Sequence, residues 1–125
     1  MPKVLVIDDD PAVRFTITRI LETGGYESVE AVSGRDGIDA LIRSRFDLVI
    51  TDLFMPDQDG IEAIRRIREL DVAIPIIAIS GVGGKGRFSP LENAQMMGAN
   101  LAIEKPFTVE TLLSAVKELL GPGDR

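Results

Sequence analysis

Cysteine and histidine are both absent from this chain of 125 residues. Without cysteine there is no disulfide framework and no thiolate metal site, and the cytoplasm is the default compartment. Without histidine the chain lacks the commonest general base, the usual zinc ligand and any phosphohistidine of its own. Long apolar runs are missing too. None approaches the roughly 20 residues that a membrane helix needs, so no membrane insertion is expected. Met1-Pro2-Lys3 passes straight into a strand pattern, with no signal-peptide layout. Positive charge is in the minority, 14 Lys and Arg against 20 Asp and Glu. The resulting net charge of −6 disfavours direct nucleic-acid binding.

What remains is a globular balance, 45% hydrophobic and 27% charged, at a length that suits one core. Residues 1–125 read as a single domain with no linker, repeat or output domain. Five short apolar runs are each followed by a helix-like stretch. The first, Lys3 to Ile7, is solid Val, Leu and Ile after its lysine, the pattern of a parallel strand buried on both faces. Pro11 suits a first helical turn, and Val13, Ile17, Ile20 and Leu21 recur at helical spacing until Gly24-Gly25. Tyr26 to Val32 reads as an edge strand. Ser33 caps a second helix with Ile38, Leu41 and Ile42 inward. A third helix follows Gly60, a short fourth spans Leu91 to Met97, and a last one has Val109, Leu112, Leu113, Val116, Leu119 and Leu120 on its apolar stripe. Five β/α pairs define a three-layer α/β domain with right-handed crossovers.

Four of the five runs end in a reactive group: Asp8-Asp9-Asp10, Asp52, Ser80, and Lys105-Pro106. A doubly wound sheet in the order 2-1-3-4-5 would bring these ends together at the crevice where such sheets bind ligands. One Asp ahead of a helix is often only a cap. Three acids with a hydroxyl and an ammonium, all at carboxyl ends, make a site. Converging carboxylates repel one another, and a hard divalent cation such as Mg²⁺ relieves that repulsion. This set suits phosphoryl transfer to a carboxylate. Asp52 is the best nucleophile, with Asp8 and Asp9 on the metal and Ser80 and Lys105 on phosphoryl oxygens.

Two other readings compete. Asp8-Asp9-Asp10 also fits the D-x-D of an aspartate-nucleophile phosphatase, with Asp8 attacking and Asp10 as acid/base. Gly81-Val82-Gly83-Gly84-Lys85-Gly86 formally matches the G-x-G-x-x-G of a nucleotide-binding module, but Arg87-Phe88-Ser89-Pro90 follows where a helix should already run.

The pieces Val6-Ile7-Asp8-Asp9-Asp10, Asp47 to Asp52, Met55-Pro56, Asp59-Gly60, Ile79-Ser80 and Glu104-Lys105-Pro106-Phe107 together resemble a two-component response regulator receiver domain, of the chemotaxis-regulator kind, over essentially the whole chain. The resemblance implies a flavodoxin-like five-stranded parallel sheet in the order 2-1-3-4-5 with five helices. It implies that Asp52 accepts a phosphoryl group from a histidine kinase or histidine phosphotransfer protein. Mg²⁺ would be held by Asp9, Asp52 and the Phe54 backbone carbonyl, with Asp8 assisting. Phosphorylation would draw in Ser80 and Lys105 and reshape the face of the fourth helix, fifth strand and last helix. A downstream protein target or an onward phosphorelay would read that face. Such faces often pair with themselves on activation, so a phosphorylation-dependent homodimer is a further expectation. The Lys105-Pro106 bond is expected to be cis.

The chain departs from that pattern in places. Ala102 stands where the family usually has an inward-turning Tyr or Phe. The loop 81–87 is longer than usual and is expected to be poorly ordered without phosphate. Phe54 and Val82 flank the approach of an attacking water that they cannot orient, so slow self-dephosphorylation is expected. Phe15 points away from the core stripe of the first helix, alongside Ala12 and Arg19, and is a candidate anchor for a kinase bundle.

Overall fold

Unbroken runs of Val, Leu and Ile become strands covered on both faces. The computed structural model describes residues 1–53, 60–71, 73–81 and 98–121. Its strands are β1 (Lys3–Ile7), β2 (Glu27–Ala31), β3 (Leu48–Asp52), β4 (Ile76–Ser80) and β5 (Leu101–Glu104). They form one parallel sheet in the expected order β2-β1-β3-β4-β5. Every residue of β3 and β4 is buried, as central strands of such a sheet must be.

Four helices lie among the described residues: α1 (Pro11–Thr23), α2 (Gly34–Arg43), α3 (Gly60–Leu70) and α4 (Val109–Leu120). The helix expected over 91–97 falls outside them. Side-chain oxygens of Asp10, Ser33 and Thr108 cap α1, α2 and α4, each accepting a main-chain N–H that the first helical turn leaves unpaired. Alternate strand residues feed two cores. Val4, Val6, Ile50, Ile77 and Ile79 pack beneath α1 and α4, while Leu5, Ile7, Val49, Ile76 and Ala78 pack beneath α2 and α3. Burying each Val, Leu or Ile side chain among these stabilises the fold by about 1.5–3 kcal/mol. Gly37 lets α2 settle directly on Ile7, since a Cβ there would collide with the Ile7 side chain. Tyr26 is buried, and its hydroxyl donates to the carbonyl of Gly121 beyond α4 at 2.9 Å. Gly121 sits at φ 81°, a conformation that glycine adopts freely.

Three expectations from the apolar pattern need correction. Ile42 is 66% exposed rather than inward, because it lies in the last turn of α2, beyond the sheet's cover. Val109 is 50% exposed at the first turn of α4, so the buried stripe begins at Leu112. The edge strand is shorter than Tyr26 to Val32, and Val32 is exposed.

Candidate functional site

Register decides which strand ends meet. Ile7 pairs with Thr51, Asp52 with Ile79, and Ser80 with Glu104. Asp8, Asp52, Ser80 and Lys105 therefore stand at one rim of the sheet. Asp8 and Asp52 are buried, at 1% and 6% exposure, and Ser80 is buried as well. Asp9 is exposed. Carboxylate oxygens of Asp8, Asp9 and Asp52 all lie within 4.8 Å of one another. The Lys105 ammonium stands 3.7 Å from Asp52 Oδ2 and 3.9 Å from Asp8 Oδ2. The Lys105 main-chain N–H donates to the Ser80 carbonyl at 2.8 Å, tying the two strand ends together. The Lys105–Pro106 bond is cis.

Asp8 shows the electrostatic stress. Its Oδ1 accepts the Asp10 N–H at 2.9 Å, while its Oδ2 is buried and has no hydrogen-bond partner among the described residues. Burial pushes its carboxyl up to about 6, and repulsion from Asp52 and Asp9 adds to this. The Asp10 N–H and the Lys105 charge work in the opposite direction without restoring it.

The donors suit a hard cation. All are carboxylate oxygens, one buried oxygen lacks a proton donor, and their spacing needs only modest contraction to the about 3–4 Å between oxygens of an octahedral Mg²⁺ shell. Asp10 stands apart from this cluster. Its carboxylate accepts from the Ala12 N–H at 2.9 Å and caps α1, which removes the acid/base that the phosphatase reading required.

The remaining sequence candidates spread around the rim or beyond it. Ala12 is exposed and, with Val13, Thr16, Lys105, Pro106 and Phe107, lines a cleft of about 340 Å³ beside the Lys105 side chain. Phe15 is 59% exposed, with the Arg19 guanidinium 5.4 Å from its ring centre. Ala102 is half-buried on β5. Phe54, Val82 and residues 82–87 of the glycine-rich loop lie outside the described residues. Sequence reasoning missed Arg14, whose guanidinium donates to the Asp8 carbonyl at 2.6 Å. A signal was there: an arginine three residues before Ile17, on the inward side of α1, needs a buried acceptor.

A family model for the response regulator receiver domain matches residues 4–117. The chain belongs to that family. It is 29% identical to sporulation initiation phosphotransferase F of Bacillus subtilis, over 94% of this chain and 93% of that protein. It is 34% identical to the DNA-binding dual master transcriptional regulator RpaA of Synechocystis, over all of this chain but 52% of that protein, so it spans about half that regulator's length. Among solved structures it is similar to Vibrio cholerae chemotaxis protein CheY4, with a TM-score of 0.86 at 30% identity, covering 96% of this chain and 99% of that one. Receiver domains are signalling phosphoacceptors rather than turnover enzymes, so neither the phosphatase nor the nucleotide-binding reading is supported. Among the described residues no helix is long and apolar enough to cross a membrane.

Proposed function

We propose that Asp52 accepts a phosphoryl group from a phosphohistidine on a partner kinase or phosphotransfer protein. The observation that supports this reading most directly is the meeting of three carboxylates with one ammonium at a single rim. Asp52 Oδ attacks phosphorus in line. The phosphorus–nitrogen bond to the donor imidazole breaks, and that ring departs and takes up a proton. Lys105, already within 4 Å of Asp52, follows the transferred group by pairing with one of its oxygens. The Ser80 hydroxyl donates to another. Asp8 and Asp9, with Asp52 and the Phe54 carbonyl, would hold Mg²⁺, which when bound supplies neutralisation of the phosphoryl charge.

The signal then leaves by docking on a downstream protein or by onward transfer of the phosphate. Similarity to the sporulation initiation phosphotransferase of Bacillus subtilis supports keeping the relay route. Pairing of two phosphorylated copies through the face built on β5 and α4 is tested by sedimentation before and after acetyl phosphate. Loss of the phosphate is slow, and Phe54→Asn is expected to shorten its lifetime.

Mass spectrometry after acetyl phosphate and Mg²⁺ tests the central claim. The native chain gains one phosphoryl group, and Asp52→Ala gains none. A native chain left unmodified, or an equal gain by the variant, would refute the assignment.

A further inference from the structure

Arg14 occupies the inward side of the first turns of α1, with only 12% of its side chain exposed. Its Nε donates to Glu30 Oε1 on β2 at 2.8 Å, and its Nη1 donates to the Asp8 carbonyl at 2.6 Å. Its main-chain N–H donates to the Asp10 carbonyl at 3.0 Å. The guanidinium thus holds the peptide unit that leads into Asp9, while the main-chain bond is the ordinary helical one that any residue here would make.

The sheet explains why the Asp8 carbonyl needs this partner. The ladder between β1 and β2 reaches Asp8 N–H, which donates to the Ala31 carbonyl at 3.1 Å. Ser33 then turns the chain into α2, and the strands part. The guanidinium fork takes the donor's place that a longer β2 would have supplied. A planar fork can serve a carboxylate and a carbonyl at once, which a single ammonium point cannot do with the same geometry. Asp9 has no burial of its own to fix it. Its aim toward Asp8 and Asp52 depends on how firmly its flanking peptide units are held.

We propose that Arg14, oriented by Glu30, is a positioning residue that sets how tightly Asp9 joins Asp8 and Asp52 around a divalent cation. Edge strand β2 thereby tunes a site to which it gives no ligand. This rests on the metal reading above and deepens it, since partners behind a ligand commonly govern metal affinity.

The test is Mg²⁺ titration by calorimetry on the native chain, Arg14→Met, Arg14→Lys, Glu30→Gln and the Arg14→Met/Glu30→Gln double variant. Melting curves are recorded for each, and amide exchange at Asp9 and Asp10 is followed in metal-free protein. Arg14→Met is expected to weaken Mg²⁺ binding about tenfold, and Glu30→Gln about threefold. Arg14→Lys keeps the charge without the fork and does not restore affinity. The double variant is no weaker than Arg14→Met alone, because Glu30 acts through Arg14. Exchange at Asp9 and Asp10 quickens without metal.

Equal affinities across the folded variants would overturn the proposal, whatever happened to melting temperature; a purely structural arginine gives that result. Should Arg14→Met fail to fold, the conservative change at half-exposed Glu30 decides. A native chain that binds no Mg²⁺ would remove the metal reading together with this one. Native Mg²⁺-dependent phosphorylation with unaltered variant affinities would remove only this one.

Discussion

At the amino ends of β4 and β5, polar groups are matched in detail. Arg68 of α3 donates to the carbonyls of Gly98, Ile74 and Asp71 and to Asn100 Oδ1. Asn100 Oδ1 also accepts the Ile76 N–H at 2.8 Å, and Asp71 Oδ1 accepts from Ala73 and Ile74. At the carboxyl ends the same sheet brings three like charges together, leaves Asp8 Oδ2 without a hydrogen bond among the described residues and offers Lys105 as partial relief. One rim stabilises the fold. The other is held in a costly arrangement by the cores between them, with burial first and like-charge repulsion second acting on Asp8.

Breaking the amino rim has the largest expected effect. Arg68→Ala removes this donor from the part-buried carbonyls of Gly98 and Ile74 and should lower unfolding free energy by about 3 kcal/mol, read by urea denaturation. Mg²⁺ affinity should stay as it was, because the carboxyl rim is untouched.

The opposite sign is expected at the carboxyl rim. Asp8→Asn should stabilise metal-free protein at pH 7 by about 2 kcal/mol and weaken Mg²⁺ binding. The sign follows from protonation. The folded carboxyl titrates at about 6 against an ordinary 3.8, so between those values the folded state holds a proton that the unfolded chain has lost. Stability of the metal-free native chain therefore falls as pH rises from about 4 to 6 and levels off above. The advantage of Asp8→Asn should vanish below about pH 4. A variant equally favoured at pH 3.5 and pH 7 would show that Asp8 is not the strained group.

A smaller effect should link the two regions. Gly37→Ala pushes on Ile7, the residue before Asp8, and should cost about 1–2 kcal/mol by overpacking. Because Ile7 leads into the site, Mg²⁺ affinity should fall as well. The smallest effect is at Phe15. Phe15→Ser should move stability by less than about 0.5 kcal/mol while slowing phosphotransfer from a cognate donor. An unchanged transfer rate would show that this ring is not an anchor.

The carboxyl rim was readable from sequence because each strand announces itself as an aliphatic run and each functional group follows directly. Asp8, Asp52 and Lys105 needed only the strand order to meet. The supporting contacts were not readable in the same way. Arg14 meets Glu30 16 positions away, and Arg68 meets Asn100 32 positions away, through geometry that no local pattern encodes. Ile42 and Val109 misled for a different reason: at helix ends an apolar residue can keep the period of the stripe and still lie beyond the layer that would cover it. Asp10 could be read as a helix cap or as the acid/base of a phosphatase, and its bond to Ala12 makes it the cap of the first helix.

The Tyr26–Gly121 hydrogen bond has a practical use. The chain holds one tyrosine and no tryptophan, so its ultraviolet emission beyond phenylalanine comes from a single phenol sealed against the end of α4. Any loosening of that helix would expose the ring and change its brightness. The molecule thus contains a label-free optical gauge of whether its C-terminal helix is seated.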